Sequence, residues 1–549
     1  MGIPTSTMMK SLALLAVCAT AAAAPDWLVG VAKQEMTGPF VSVPGMGYGN
    51  PSQIMGGLHL RLFARAFVVA DPSDPTLRLA FVSQDNGMPS QAQKLEVTKR
   101  LLARFPDGRY TARNVAISGT HTHSGPSGFF QYGLFDLTSF GFTNQTFNAV
   151  VDGVVDAIAK ADAKLSAGTI SMVKGRLEAA NINRSPSSYL ENPAAERALY
   201  AADGDTDKMF VQLNFADAKS GKKLGLFNWF AVHPTSMNQT NFLVSGDHKG
   251  TAAQYIEQHM DPSALPGDED FVAAFASTNL GDVSPNTAGP ICKSGKDQGK
   301  ACNVSTSTCT VLASVASLET TQSAAPCWSL GPGADMFDST RIIAQKQANL
   351  SLALLSSPKA VLLKNDKPGK TLGWAHTFVD MSNHTLEDGV STTCPPALGF
   401  AFAAGTTDGP GDFNFHQHAP LGQEPTPDFW YSVRDLLEAI LCKAKKPTKA
   451  NLYGCHAPKP VLLPTGFMDE PWAWHPNIVD VQLFRLGDFF IAPVPGEMTT
   501  MAGRRFRAAI TAAASTEAMD PTVVVAGLSN LYTQYIATEE EYRVQVRIT

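Results

Sequence analysis

Val115-Ala116-Ile117-Ser118-Gly119-Thr120-His121-Thr122-His123-Ser124-Gly125-Pro126 changes character halfway along its length. Its first residues are small, apolar and β-branched, as in a buried strand. The second half is a run of glycine, hydroxyl and imidazole groups that suits a loop. A chain leaving a buried strand here would present His121 and His123 at the strand's end. The same change recurs elsewhere. Residues 223–232 form an apolar run that hands over to His233-Pro234-Thr235-Ser236, and 271–277 precede Asn279-Leu280-Gly281-Asp282-Val283-Ser284. Residues 488–494 precede Glu497, and 522–526 precede Tyr532 and Tyr535. Further strand patterns fall at 66–70, 79–83 and 480–485, with helical periodicity over Gln91 to Arg104, Asn148 to Lys164 and Thr499 to Ala514. This alternation predicts a mixed α/β fold with one large domain. Ligands in such folds collect where loops leave the carboxyl ends of strands, so five polar clusters in that topological place predict a single site. No internal repeat and no long low-complexity tract is visible.

The chain has 549 residues, 44% of them hydrophobic and 17% charged, with a formal net charge of -6. That composition supports a sizeable core and excludes a disordered chain. With no basic run, it also excludes a nucleic-acid footprint. A neutral or amphipathic small molecule is the partner that remains. Residues 1–24 contain Lys10 followed by an alanine-rich apolar stretch from Leu12 to Ala24, the pattern of a secretory signal. The competing reading, a membrane anchor, needs ~20 apolar residues, more than this run supplies. Secretion is therefore expected, with 25–549 as the mature catalytic domain.

Of the eight cysteines, Cys18 leaves with the signal. Cys292, Cys302, Cys309, Cys327, Cys394, Cys442 and Cys455 then suit three disulfides and one odd thiol in an oxidising compartment. The first four lie in a Gly/Ser/Thr-rich excursion over about 285–335, which buries little apolar surface and gains order from staples. Zinc binding by these four is the alternative, although no Cys-x-x-Cys pair is present. Residues 404–425 read as a Gly/Pro-rich loop. Sequons at Asn144, Asn238, Asn303, Asn349 and Asn383 fit a secreted glycoprotein.

A hydrolytic zinc site needs imidazole and carboxylate ligands with one position open for water. His121, His233 and Glu497 supply three ligands, and His123 stands close enough in sequence to donate to a developing oxyanion. The bland alternative is that these histidines cap loops or fill the core. Ser284, in Gly281-Asp282-Val283-Ser284-Pro285-Asn286, is a nucleophile, a substrate-positioning hydroxyl, or a serine capping its own turn. No Gly-x-Ser-x-Gly elbow is present, which argues against a conventional serine hydrolase. Arg184 reads either as a substrate hydrogen-bond donor or as an ion-pair partner.

Together these residues resemble the neutral, non-lysosomal ceramidase family. The matching runs are Met46-Gly47-Tyr48-Gly49, Gly57 to Phe67, Ser118 to Pro126, Asn183 to Asn192, His233 to Gly250 and Asn279 to Asn286. Pro495-Gly496-Glu497, Thr499 to Arg505, and Asn530 to Tyr542 complete the set. The match extends from about 27 to 545. Residue by residue, the resemblance implies one zinc ion per chain held by His121, His233, Glu497 and Tyr535. It places His123 on the oxyanion side, Arg184 on the substrate and Ser284 in the chemistry. It implies hydrolysis of the amide bond of ceramide (N-acylsphingosine) to sphingosine and a fatty acid, in sphingolipid catabolism. Water activated by zinc is the implied nucleophile, since the metal lowers its pKa towards ~7. Related N-acyl sphingoid lipids and peripheral contact with a membrane surface follow as expected partners. Family precedent pairs Cys292 with Cys309, Cys302 with Cys327 and Cys394 with Cys455, leaving Cys442 odd.

The match fades after Tyr542 and Gln545. Arg547 takes the place of a family tyrosine, and the family's C-terminal immunoglobulin-like domain is expected to be absent. The alternative function is accordingly a truncated, catalytically silent lipid-binding remnant of the enzyme. Zinc-dependent hydrolysis of other N-acyl lipids would use the same site.

Overall fold

The strand over 63–70 shows how the fold is assembled. Ala64, Ala66 and Val68 face one side with room for a helix, while Phe67 and Val69 face the other, where aromatic rings fill a deeper core. In the computed structural model of the chain, residues 26–293, 297–303, 308–310, 324–366, 371–411, 428–516 and 519–544 are described. The signal stretch, Arg547 and parts of the 285–335 and 404–425 segments lie outside the described residues.

The main sheet contains β1 (Trp27–Glu35), β2 (Phe63–Ala70), β3 (Arg78–Gln84), β4 (Val115–Gly119), β5 (Ser166–Arg176), β6 (Met209–Asp217), β7 (Lys223–Phe230) and β8 (Val272–Ser277). Its order is β8-β7-β6-β5-β1-β2-β3-β4, with Val361–Leu362 added beside β5. The helices that cover it are α1 (Gln91–Arg104), α2 (Asn144–Ala163), α3 (Asp247–Met260) and α4 (Met336–Leu355). β1, β2 and β3 are antiparallel in turn, α1 crosses over, β4 returns parallel to β3, and α2 follows. β5, β6, β7, α3, β8 and α4 repeat that connectivity. The halves join where Trp27, Leu28 and Val29 of β1 pair antiparallel with β5. The duplication is one of topology, not of sequence.

The halves fold back on each other. Phe67 meets Phe215 and Phe227 at ring-centroid distances of 4.9 and 5.1 Å, and Phe81 meets Phe227 at 4.7 Å. A second sheet of β9 (Leu372–Asp380), β10 (Ile478–Leu486), β11 (Phe489–Pro493) and β12 (Thr522–Ala526) adds Phe484, Ile491 and Val524 to that core. Outside it, α1 and α2 pack on the first half through Val97, Leu101, Val154 and Ile158. On the second half, α3 and α4 pack through Ile256, Ile343 and Ala348. α5 (Thr500–Ala514) lies on β12 through Ala502 and Phe506. The close approach of α2 to β1 requires glycine at position 30, where a Cβ would stand 2.0 Å from the Ala161 carbonyl oxygen.

The predicted strands and helices all form, with shifted ends: the helix read as Asn148 to Lys164 begins at Asn144, under the N-cap position of Thr143. Strands β1, β5, β6 and β9 go unread in the sequence, β1 and β5 because they carry lysine and glycine within the sheet and β6 because Gln212 and Asn214 interrupt its apolar run. Lys33 is the clearest case. Its ammonium is buried against Glu257 (2.9 Å) and Glu269 (2.5 Å). Glu257 on α3 also accepts from Arg65 Nε of β2 at 2.7 Å and from the Ala273 amide of β8 at 3.1 Å, so one carboxylate ties both halves together. Glu257→Ala should destabilise the chain by about 3–5 kcal/mol, because two buried cations lose a shared charged acceptor and are left with Glu269 and Asp85 alone. Arg61→Ala, which breaks an exposed pair with Glu35, should cost under about 1 kcal/mol. Equal denaturant midpoints for the two variants would defeat this reading of the node.

Candidate active site

The five strand-end clusters converge. His121 follows β4, His233 follows β7, and Glu497 comes from the short segment Glu497–Met498, which pairs parallel with Tyr535–Ile536 beyond the second sheet. His121 Nε2 lies 3.1 Å from Glu497 Oε1 and 3.2 Å from His123 Nε2, and His233 Nε2 lies 2.9 Å from Glu497 Oε2. The coordinating atoms of His121, His123 and His233 all lie within 4.8 Å of one another. All four side chains are buried.

Each metal-candidate ring is aimed by its other nitrogen. His121 Nδ1 is 2.6 Å from the Gly87 carbonyl, and His233 Nδ1 is 3.0 Å from the Val283 carbonyl. A carbonyl only accepts, so both Nδ1 atoms carry a proton and both Nε2 atoms are turned towards Glu497. Burial, with Arg184 adding to it, pushes His233 down to about 3, so its ring is neutral. Burial alone would raise the Glu497 carboxyl, but attraction to the facing histidines, which only positive charge on that side supplies, holds it well below its ordinary range. With both imidazoles neutral, their Nε2 atoms would meet the carboxylate with lone pairs at contact distance, where Glu497 Oε2 has no hydrogen-bond donor. A cation is what makes this arrangement favourable. Two imidazoles and a carboxylate, oriented by outer carbonyls, are a donor set for a divalent transition metal.

His121 sits at φ +76°, a left-handed conformation costly for a non-glycine residue, and its amide is held by the Asn86 carbonyl at 3.0 Å. His123 packs edge-on against Tyr48 at 4.5 Å, and its Nδ1 is buried without a partner. Gly47, at φ +127°, lies so close that a Cβ would stand 2.5 Å from the His123 ring. Arg184 spans the site. Its Nη2 reaches His233 Nε2 (2.9 Å), the Tyr535 hydroxyl (3.0 Å) and the Gly281 carbonyl (2.9 Å), while Nη1 donates to Asp408 at 3.1 Å. Its Nε is buried with no partner, so a donor is left over. Ser284 donates to Asp408 Oδ1 at 2.7 Å.

The model of the neutral/alkaline non-lysosomal ceramidase N-terminal region matches residues 27–547. A neutral ceramidase of Drosophila melanogaster is 44% identical over 98% of this chain and 73% of its own length. The chain belongs to the neutral/alkaline non-lysosomal ceramidase family. Neutral ceramidase 2 of Arabidopsis thaliana is 40% identical over 94% of this chain and 72% of its own length. The crystal structure of the Pseudomonas aeruginosa neutral ceramidase superposes with a TM-score of 0.72 at 32% identity, covering 94% of this chain and 70% of that one. A ceramidase complexed with C2 gives 0.74 at 32% identity, over 95% and 73%.

Within this ceramidase fold the residues read from the sequence occupy one connected site, with Tyr535 joined to it through Arg184. The three disulfides pair Cys292 with Cys309, Cys302 with Cys327 and Cys394 with Cys455, as the resemblance implied, and Cys442 is a buried free thiol. Two carboxylate partners escaped the sequence reading. Tyr532, noted only as part of a strand-end cluster, donates to Glu497 Oε1 at 2.5 Å. Asp408 belongs to Thr406-Thr407-Asp408-Gly409, which has the composition of any polar turn, and nothing local distinguishes it.

Dialysis against a chelator should lower the melting temperature of the ceramidase, and a divalent metal should restore it. His121→Ala and His233→Ala should each lose stoichiometric metal. A melting temperature indifferent to chelator, or full metal content in either variant, would show that the cluster holds no cation.

Proposed function

We propose that the chain hydrolyses the amide bond of ceramide to sphingosine and a free fatty acid, with one zinc ion held by His121, His233, Glu497 and Tyr535. The observation that carries this reading is the pair of imidazole Nε2 atoms turned onto the buried Glu497 carboxylate, a set that zinc suits by ligand type. Bound there, zinc would supply Lewis acidity and a water of lowered pKa. The chain's own groups do the rest. His123, with its Nε2 towards the cluster, donates to the oxygen on which charge develops as the amide carbonyl is attacked. Arg184 orients the substrate with the donor that the fold leaves unpaired, and it restrains Tyr535. Ser284 hydrogen-bonds the substrate beside the scissile bond.

The membrane side of the proposal rests on the helix Gly133–Ser139. Its Phe135 packs at 5.9 Å on Tyr532, which bonds Glu497, while Leu137 and Phe140 stand 64% and 69% exposed. Trp472, 49% exposed, is tied to the same helix by its indole N–H on Asp136 at 3.2 Å. Apolar side chains beside the site suit an enzyme that takes its substrate from a lipid surface. Among the described residues no helix is long and apolar enough to cross a membrane. Secretion belongs to the same proposal and draws support from the three disulfides.

The test is fatty-acid release from N-acylsphingosine by the metal-stripped chain, repeated after zinc is added. Release restored by zinc is expected, and a folded, zinc-loaded chain that releases none would favour the silent lipid-binding alternative. Ser284→Ala should abolish most turnover while zinc is retained; undiminished turnover would leave Ser284 only its turn-capping role. Leu137→Ser combined with Phe140→Ser should weaken sedimentation with ceramide-containing phosphatidylcholine vesicles, and unchanged sedimentation would remove this helix from the docking face.

A further inference from the structure

Asp408 is buried, 3% exposed, and comes from a turn far in sequence from everything its carboxylate touches. The turn is closed by Thr406 N to Gly409 O (2.9 Å) and Gly409 N to Thr406 O (3.1 Å). Both carboxylate oxygens are engaged. Oδ1 accepts from the Ser284 hydroxyl at 2.7 Å and from Asn286 Nδ2 at 2.8 Å. Oδ2 accepts from Arg184 Nη1 at 3.1 Å and, more weakly, from the Thr235 hydroxyl at 3.4 Å. Burial would raise this carboxyl, but Arg184 and the Ser284 and Asn286 hydrogen bonds hold it below its ordinary range. An ionised carboxylate only accepts, which commits the Ser284 proton to Asp408. The Asn286 amide donates to Ser284 Oγ at 3.0 Å. One Oγ lone pair is left.

We infer that Asp408 is a positioning residue, which turns the Ser284 hydroxyl so that it meets the substrate as a hydrogen-bond acceptor and holds Arg184 against Tyr535 and His233. The group Ser284 recognises is then a donor on the substrate, an amide N–H or a hydroxyl of the sphingoid base, and not a carbonyl. This rests on the ceramide-hydrolase reading. A purely structural role, tying the 404–411 turn to the body of the fold, would cost stability without coupling to Ser284.

The experiment is a double-mutant cycle in the full chain with Asp408→Asn and Ser284→Ala, reading kcat, KM, zinc content and melting temperature. Asp408→Asn should lower kcat roughly 10- to 100-fold with zinc retained, the loss of one charge-assisted hydrogen bond. In the Ser284→Ala background the same change should cost at least about threefold less, because the share that passes through Ser284 is already lost and only the hold on Arg184 remains. Additive losses, or an unchanged kcat in Asp408→Asn, would overturn the inference. Should Asp408→Asn misfold, Asn286→Ala removes one donor from Oδ1 and leaves every charge in place. A several-fold fall in kcat that vanishes in the Ser284→Ala background is then expected, and equal falls in both backgrounds would overturn it. A wild-type chain that releases no fatty acid from ceramide defeats the ceramide reading alone. Crystal structures of wild type and Asp408→Asn then decide the positioning role, with Ser284 and Arg184 displaced if it is right and unmoved if it is wrong.

Discussion

Two imidazole Nε2 atoms turned onto one buried carboxylate are held together only with positive charge beside them, and the fold is arranged to keep them there. The atoms involved come from both halves of the main sheet and from the segment that follows strand β11 of the second sheet. Removing any one of these parts disperses the site, so the cluster requires the whole domain. A cation bound there would also connect those parts, which would couple chemistry to stability.

The duplicated topology explains how the histidines are aimed. His121 follows β4, and the carbonyl that orients it, Gly87, follows β3, the parallel neighbour in the same half. His233 follows β7, and its orienting carbonyl, Val283, lies beyond β8, again the parallel neighbour. Within each half, then, one strand end supplies the ligand and the adjacent one supplies the acceptor, with the roles exchanged between halves. A further layer backs His233. Gln347 of α4 donates to His248 Nδ1 at 2.8 Å, and His248 Nε2 lies 2.9 Å from the His233 carbonyl. Burial drives the His248 pKa down to about 3, which keeps that ring neutral and its proton on the atom facing the carbonyl.

Electrostatic balance on the substrate side falls to Arg184 and Asp408. Placed alone among buried groups, either charge would be costly, and together they form a hydrogen-bonded pair whose remaining donors and acceptors reach Tyr535, Ser284, Asn286 and Thr235. Burial is nearly complete for the whole set, so small displacements are resisted by packing as well as by hydrogen bonds. Tyr48 closes the set from above, packed edge-on against His123 and bonded to the Met237 carbonyl at 2.8 Å.

The sequence by itself determined the mixed α/β class, the strand-end placement of the polar clusters, and the identity of His121, His123, His233, Glu497, Arg184, Ser284 and Tyr535 as one candidate set. Those properties are local, because a β-branched run followed by glycine and histidine has few ways to fold, and the long motifs that resemble the ceramidases leave little freedom in assigning them. The tertiary structure decided what depends on contacts between distant segments. Strands β1 and β6 escaped the sequence reading because their buried polar residues find partners more than a hundred positions away, Lys33 in Glu257 and Gln212 and Asn214 in the Ser351 and Leu354 carbonyls. The duplication of the sheet leaves no trace in residue identity, since pairing order constrains side chains only by size and face. Asp408 could not be told from an ordinary turn aspartate, because its role comes from Ser284 and Arg184, and only folding brings those three together.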